Sequence, residues 1–135
     1  MRWLSRSLIV SPICYCLCLS EKKYIQILKK LKVKNYPDFV TSDSHATVHL
    51  FNETKKHRAC AIICISDFKN YSLSQVIGLI NHECIHIWQE IKLILHENNP
   101  STEFEAYTIQ HLTQSVISEL LKSKKGKALL RREIS

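Results

Sequence analysis

Residues 72–96, SLSQVIGLINHECIHIWQEIKLILH, carry the pattern that decides the fold and the chemistry of this chain. Ser72 followed by Gln75 three residues later has the spacing of a capping box, a side-chain arrangement that satisfies backbone N–H groups at a helix start. Apolar residues then recur on most sides of the predicted helix, at positions 73, 76, 77, 79, 80, 85, 87 and 91. The pattern predicts a largely buried α-helix that begins after Tyr71.

This predicted helix contains a His-Glu-x-x-His sequence at His82, Glu83 and His86. Histidines four residues apart project from one face of a helix, so both imidazoles can reach a single Zn²⁺. Zinc lowers the pKa of a bound water to about 7, and a neighbouring carboxylate can then move its proton. We expect His82 and His86 to bind Zn²⁺ and Glu83 to act as general base and then acid. The alternative is that backbone carbonyls and a basic side chain satisfy these three groups.

The length and composition suit one domain. The chain has 135 residues, 45% of them hydrophobic, with two glycines and three prolines. No internal repeat is visible, and no apolar stretch is long enough for a membrane span. We expect a single domain over residues 1–135, with flexible termini at 1–10 and 123–135.

The six cysteines include no Cys-x-x-Cys pair, and Cys14, Cys16 and Cys18 alternate as residues on one face of a strand. We interpret all six as small thiols in a reducing compartment, not as disulfides or a second metal site, and predict a cytoplasmic location. The apolar run 8–19 after two arginines resembles a signal peptide, but Pro12 interrupts it and no small-x-small cleavage site follows. Export is therefore the less favoured alternative.

Strands are predicted at about 13–19, 46–51 and 59–65, and further helices at about 21–31 and 101–121. The polar segment 52–58 predicts a hairpin connection between the second and third strands. Three strands and three helices predict an α+β domain with a small antiparallel or mixed sheet and the His-Glu-x-x-His sequence on a buried helix.

A catalytic zinc normally takes a third protein ligand. The metzincin continuation is absent, because Gln89 and Lys92 stand where it needs glycine and histidine. The stretch Glu103 to Tyr107 opens the last predicted helix and has alanine at position 106. Together with the His-Glu-x-x-His sequence, this stretch resembles the gluzincin metallopeptidases, whose third ligand is a downstream helical glutamate. It is also similar to small zincin-like proteins encoded by tailed phages and prophages.

The resemblance implies a minimal zincin-like domain in which Glu103 is the third zinc ligand. Tyr107 or a strand histidine is the expected oxyanion donor. The resemblance also implies that Zn²⁺ is the cofactor, that a peptide or protein is the substrate, and that the location is the host cytoplasm if a phage encodes the chain.

Glu105 and His111 are the competing third ligands. Thr102 and Glu105 have capping-box spacing, which gives Glu105 a structural role and favours Glu103. If the motif helix is unbroken and packs antiparallel to the last helix, residues near His111 lie opposite the zinc. Glu103 as ligand therefore requires the motif helix to end, kink or unwind before Leu95, or the last helix to cross it steeply.

His45, Thr47 and His49 would project from one face of a strand. In gluzincin-like folds an edge strand beside the motif helix aligns the substrate backbone, so this histidine pair could line the cleft or act on the oxyanion. The alternative is two partly exposed strand histidines without a role in the site.

The expected function is a zinc-dependent metallopeptidase or amide hydrolase. The first alternative is a catalytically silent zincin-fold module for phage structure or assembly. The second is a basic nucleic-acid-binding protein, since the formal net charge is +7 and basic residues crowd the end of the chain. These basic residues are Lys122, Lys124, Lys125, Lys127, Arg131 and Arg132.

Overall fold

The computed structural model describes residues 3–4, 11–52 and 59–135. The predicted α+β class is confirmed, and the sheet is a mixed one of three strands. The predicted hairpin connection lies largely outside the described residues, as does most of the predicted terminus 1–10. In chain order the elements are β1 (Cys14–Cys18), α1 (Glu21–Lys30), β2 (Ala46–Phe51), β3 (Cys60–Ile65), α2 (Leu73–Leu95), α3 (Thr102–Lys122) and α4 (Lys124–Ile134).

The central strand of the sheet is β3, which pairs parallel with β1 and antiparallel with β2. All six residues of β3 are buried, because helices cover both faces of the sheet. Ala61, Ile63 and Ile65 pack with α2 and α3, whereas the alternate residues of β3 pack with α1. The strand β2 is left at one edge, next to α2.

The helix α2 begins with the predicted capping box, since Ser72 and Gln75 each accept a backbone N–H from the other. It ends at His96, which adopts the left-handed conformation with φ 56°. Burial is confined to one face, and the last turn at 93–95 is exposed. The predicted burial on most sides was therefore too broad. The buried residues are Val76, Ile80, Glu83, Cys84, Ile87, Trp88 and Ile91.

Helices α2 and α3 pack antiparallel. Thr113 on α3 donates to Asn81 near the start of α2, over 3.2 Å. The indole of Trp88, two turns further along α2, donates to Glu105 in the first turns of α3, over 2.8 Å. Because α2 continues without interruption to Leu95, these two bonds fix which residues lie at the same height along the helix pair.

The structure differs from the prediction at residues 123–135, where α4 adds a fourth helix in place of a flexible end. Leu129 of α4 is buried in the core beside α2 and α3. Near the end of α4, Glu133 accepts the backbone N–H of Leu73 over 2.7 Å, and Arg132 donates to the carbonyl of Tyr71 over 2.5 Å. The end of α4 thus holds the segment that starts α2. No helix in the described ranges is long and apolar enough to cross a membrane.

Candidate metal centre

The two histidines of the His-Glu-x-x-His sequence face each other on the exposed side of α2. Their Nε2 atoms are 3.1 Å apart, and the ring centroids are 4.8 Å apart. The Nδ1 atom of His86 lies 3.0 Å from the amide oxygen of Gln89. An amide oxygen can only accept a hydrogen bond, so Nδ1 of His86 carries a proton, and in the neutral ring Nε2 then presents a lone pair to His82.

This arrangement fits two positions of a zinc site. Two nitrogens bound to one tetrahedral zinc at 2.0–2.1 Å are about 3.3 Å apart, close to the observed separation of the two Nε2 atoms. At this separation, two facing nitrogens are stable if His82 Nε2 donates a hydrogen bond to the lone pair of His86 Nε2, or if both nitrogens bind one cation. Within residues 3–4, 11–52 and 59–135, no group of three or more His, Cys, Asp or Glu side chains is arranged to hold a metal.

The side chain of Glu83 points toward the edge strand β2, between α2 and the sheet. It is 6% exposed, and its Oε2 accepts the backbone N–H of Val48 over 2.9 Å. The backbone N–H of Ser66 donates to the carbonyl of His45, so the odd-numbered residues of this segment are the ones that hydrogen-bond to β3. The N–H of Val48 therefore points away from β3. Glu83 therefore satisfies an outward N–H of the edge strand, a contact that no sequence pattern indicated.

Cys84, inside the His-Glu-x-x-His sequence, belongs to the core and not to the exposed face. Its side chain is fully buried, and burial raises the pKa of its thiol to about 12. A neutral buried thiol is a poor nucleophile and a poor metal ligand. Cys84 therefore has a packing role.

A cleft of about 530 Å³ opens between the start of β2 and the first half of α2. This volume lies in the range of small-molecule and peptide side-chain sites. His82 and Glu83 form one wall of the cleft, and the opposite side includes His45 and Tyr71. The exposed Gly78 also lines it, one turn before His82, so the wall carries no side chain at that point. We name this space the motif cleft.

The predicted pairing of the two strand histidines is wrong. His45 lies before β2 and packs edge-on against Tyr71, with ring centroids 5.0 Å apart, in the motif cleft. His49 is 6% exposed; its Nε2 lies 2.9 Å from the carbonyl of Phe39, and its ring stacks on Tyr24 at 5.2 Å. The alternation of a strand does not extend to His45, because β2 starts one residue later.

The structure separates the roles of the two glutamates at the start of α3. Glu105 accepts from the Trp88 indole, and its carboxylate lies 3.6 Å from Lys92 Nζ. The predicted capping role of Glu105 is wrong, because the cap of α3 is Ser101. Glu103 is exposed in the first turn of α3, so its carboxylate is free to act as a metal ligand.

The antiparallel register of α2 and α3 determines which residues of α3 lie beside the histidine pair, measured along the helix axes. Tyr107 lies near the height of His86, and its side chain is 56% exposed. His111 lies near the height of His82, and its Nε2 is buried without a hydrogen-bond partner in the described part of the chain. Glu103 is one turn, roughly 6 Å, further from the pair than Tyr107. The predicted break of α2 before Leu95, or steep crossing by α3, on which Glu103 as ligand depended, is wrong, because α2 is unbroken and packs antiparallel to α3. The identity of the third ligand stays a prediction.

Comparison with protein-family models, with curated proteins and with solved structures finds no match to this chain. The resemblance to gluzincins and to phage zincin-like proteins therefore rests on the motif residues themselves and stays a prediction.

Proposed function

We propose that the chain is a zinc-dependent hydrolase of peptide or other amide bonds, built on a minimal zincin-like domain. The observation that carries the proposal is the pair of imidazoles on α2, whose Nε2 atoms face each other at 3.1 Å beside Glu83. The motif cleft supports it, because the cleft gives a substrate direct access to His82 and Glu83.

In this proposal His82 and His86 hold the metal through Nε2, and Gln89 keeps His86 in the required tautomer. The third ligand would come from α3. Because α2 is unbroken and packs antiparallel to α3, the register favours His111, near the height of His82, over the predicted Glu103, which lies about one turn beyond Tyr107. Bound zinc would lower the pKa of a water molecule and polarise the substrate carbonyl.

Glu83 is the proposed general base and acid. Its Oε2 is occupied by the N–H of Val48, which fixes the carboxylate and leaves Oε1 to take a proton from a water in the cleft and pass it to the leaving amine. A carboxylate held in this way needs no reorientation between the two proton transfers. Tyr107, exposed near the height of His86, is the proposed donor to the developing oxyanion.

The shape of the cleft also favours a substrate whose amide bond lies in an extended peptide chain. One wall is the start of the edge strand β2, whose outward backbone groups lie beside the cleft at Ala46. Extended peptides bind such edges through main-chain hydrogen bonds. A peptide or protein substrate therefore matches the wall better than a compact small molecule.

A second candidate function is a zinc-binding module without hydrolytic activity, used in phage structure or assembly. The specific observation in its favour is that, among the described residues, no third His, Cys, Asp or Glu side chain joins the two histidines in a group able to hold a metal. The fold and the two histidines would be shared with the enzyme, so activity has to separate the two functions.

The test is cleavage of a denatured protein mixture by the zinc-loaded chain, read by mass spectrometry of new peptide termini. The matched control is Glu83→Gln, which keeps the acceptor for Val48 N–H but cannot take a proton. We expect cleavage by the wild type and a loss of at least about a hundredfold in the variant. Equal cleavage by the variant would contradict the role of Glu83. Zinc binding without any cleavage would favour the silent module.

A further inference from the structure

A second cavity lies at the β1 edge of the sheet, between β1, α1 and the end of α3, whereas the motif cleft lies at the β2 edge. It has a volume of about 350 Å³. Its lining includes Cys18, which is 2% exposed, two lysines at positions 23 and 122, and Glu119. We name it the thiol cavity. The proposed hydrolase function does not use any of these groups.

Cys18 has a second thiol as its direct neighbour. In the parallel pairing of β1 with β3, Cys18 and Cys64 are register partners, and both pack on the α1 face of the sheet. Neighbouring strands are about 4.8 Å apart, which is within the Cα separation that a disulfide spans. No disulfide joins any of the six cysteines, all of which lie in the described part of the chain. The two thiols are therefore placed to be joined by oxidation.

The two thiols are chemically unequal. A hydrogen bond from Cys64 lowers the pKa of the Cys18 thiol, and the charges of Lys23 and Lys125 contribute in the same direction. Burial raises the pKa of the Cys64 thiol, and its bond to Cys18 adds to the shift. Cys18 is thus the thiol that ionises first, and it is also the one that lines the cavity.

The charge around the cavity indicates what could react there. Lys23 and Lys122 line it, and Lys125 donates to the carbonyl of Leu19 over 2.8 Å beside it. Three ammonium groups against the single carboxylate of Glu119 favour an anionic ligand. The volume can accept one half of a small peptide disulfide.

We propose that Cys18 and Cys64 form a redox-active dithiol that reacts with small disulfides bearing carboxylates, of which oxidised glutathione is one. The thiolate of Cys18 attacks one sulfur of the ligand, the ligand S–S bond breaks, and one thiol leaves with a proton. Cys64 then attacks the mixed disulfide at Cys18, and the second thiol leaves. In sum, two protein thiols are oxidised to one disulfide, and the ligand disulfide is reduced to two thiols.

The experiment treats the reduced full-length chain with oxidised glutathione under native conditions and maps the products by alkylation and peptide mass spectrometry. We expect a bond between Cys18 and Cys64 in the wild type and a mixed disulfide at Cys18 in Cys64→Ser. Cys18→Ser should slow the first reaction at least about tenfold. Cys14→Ser, on the same strand but outside the cavity, is the matched control and should react like the wild type.

The lysines provide an independent readout. Lys23→Gln combined with Lys122→Gln should slow the reaction with oxidised glutathione at least about threefold more than the reaction with neutral hydroxyethyl disulfide, which is affected only through the loss of the Lys23 charge beside the Cys18 thiol. Thermal unfolding of each variant checks that the fold is retained. Modification of another cysteine before Cys18 would overturn the dithiol assignment. Equal slowing with both reagents would overturn recognition by charge.

Discussion

The contact between Glu83 and the edge strand gives a prediction that separates a structural role from a catalytic one. Glu83→Ala removes the acceptor of Val48 N–H in a place where the carboxylate is 6% exposed. An unsatisfied donor costs about 1–3 kcal/mol when buried. Because the motif cleft admits water near this site, we expect the lower half of that range, about 1–2 kcal/mol.

Glu83→Gln should behave differently, because its amide oxygen can still accept from Val48 N–H. The exchange of a charged for a neutral hydrogen bond costs about 1 kcal/mol or less. Urea unfolding of the two variants and the wild type, measured at one pH in a zinc-free buffer, gives the comparison. If both variants lose the same free energy of unfolding, the hydrogen bond to Val48 does not stabilise the protein as we infer.

Two further predictions test the junction of the last two helices and the tautomer of the metal centre. A Cβ at Gly126 would lie 1.9 Å from the carbonyl oxygen of Leu120, so Gly126→Ala should lower the free energy of unfolding by at least about 2 kcal/mol in thermal unfolding. Gly78→Ala is the control: a Cβ there meets nothing within 4 Å, and the substitution should stabilise the protein by roughly 0.5–1 kcal/mol. Equal effects of the two substitutions would contradict the close approach at Gly126. Gln89→Ala should weaken zinc binding about tenfold in a competition titration without abolishing it, and unchanged affinity would show that its bond to His86 does not matter.

Much of the fold was predictable because periodicity and caps are local signals. The alternating cysteines identified β1, and Ser72 with Gln75 identified the first residue of α2. The end of the chain was not predictable in the same way. The basic composition of residues 124–134 concealed a helix that is held by the burial of Leu129 and by distant bonds from Arg132 and Glu133.

The site was predictable only in its local part. The facing of His82 and His86 follows from their spacing on one helix. The partner of Glu83 is a backbone N–H 35 residues away, which has no sequence signature. The capping role predicted for Glu105 is wrong because α3 is capped by Ser101, one residue before Thr102, and the Glu105 carboxylate instead accepts from the Trp88 indole on another helix. Contacts between helices therefore decide which acidic residue is free to bind a metal.

In the proposed function, His82 and His86 together hold one zinc ion. The most direct measurement is zinc content by elemental analysis of untagged protein, followed by competition titration with a chromophoric chelator. We expect about one zinc per chain, a loss of affinity of at least about a hundredfold in His82→Ala and in His86→Ala, and little change in His96→Ala as the control on the same helix. Wild-type protein that purifies without zinc, takes up none in the titration and keeps its thermal stability after chelation would contradict the account.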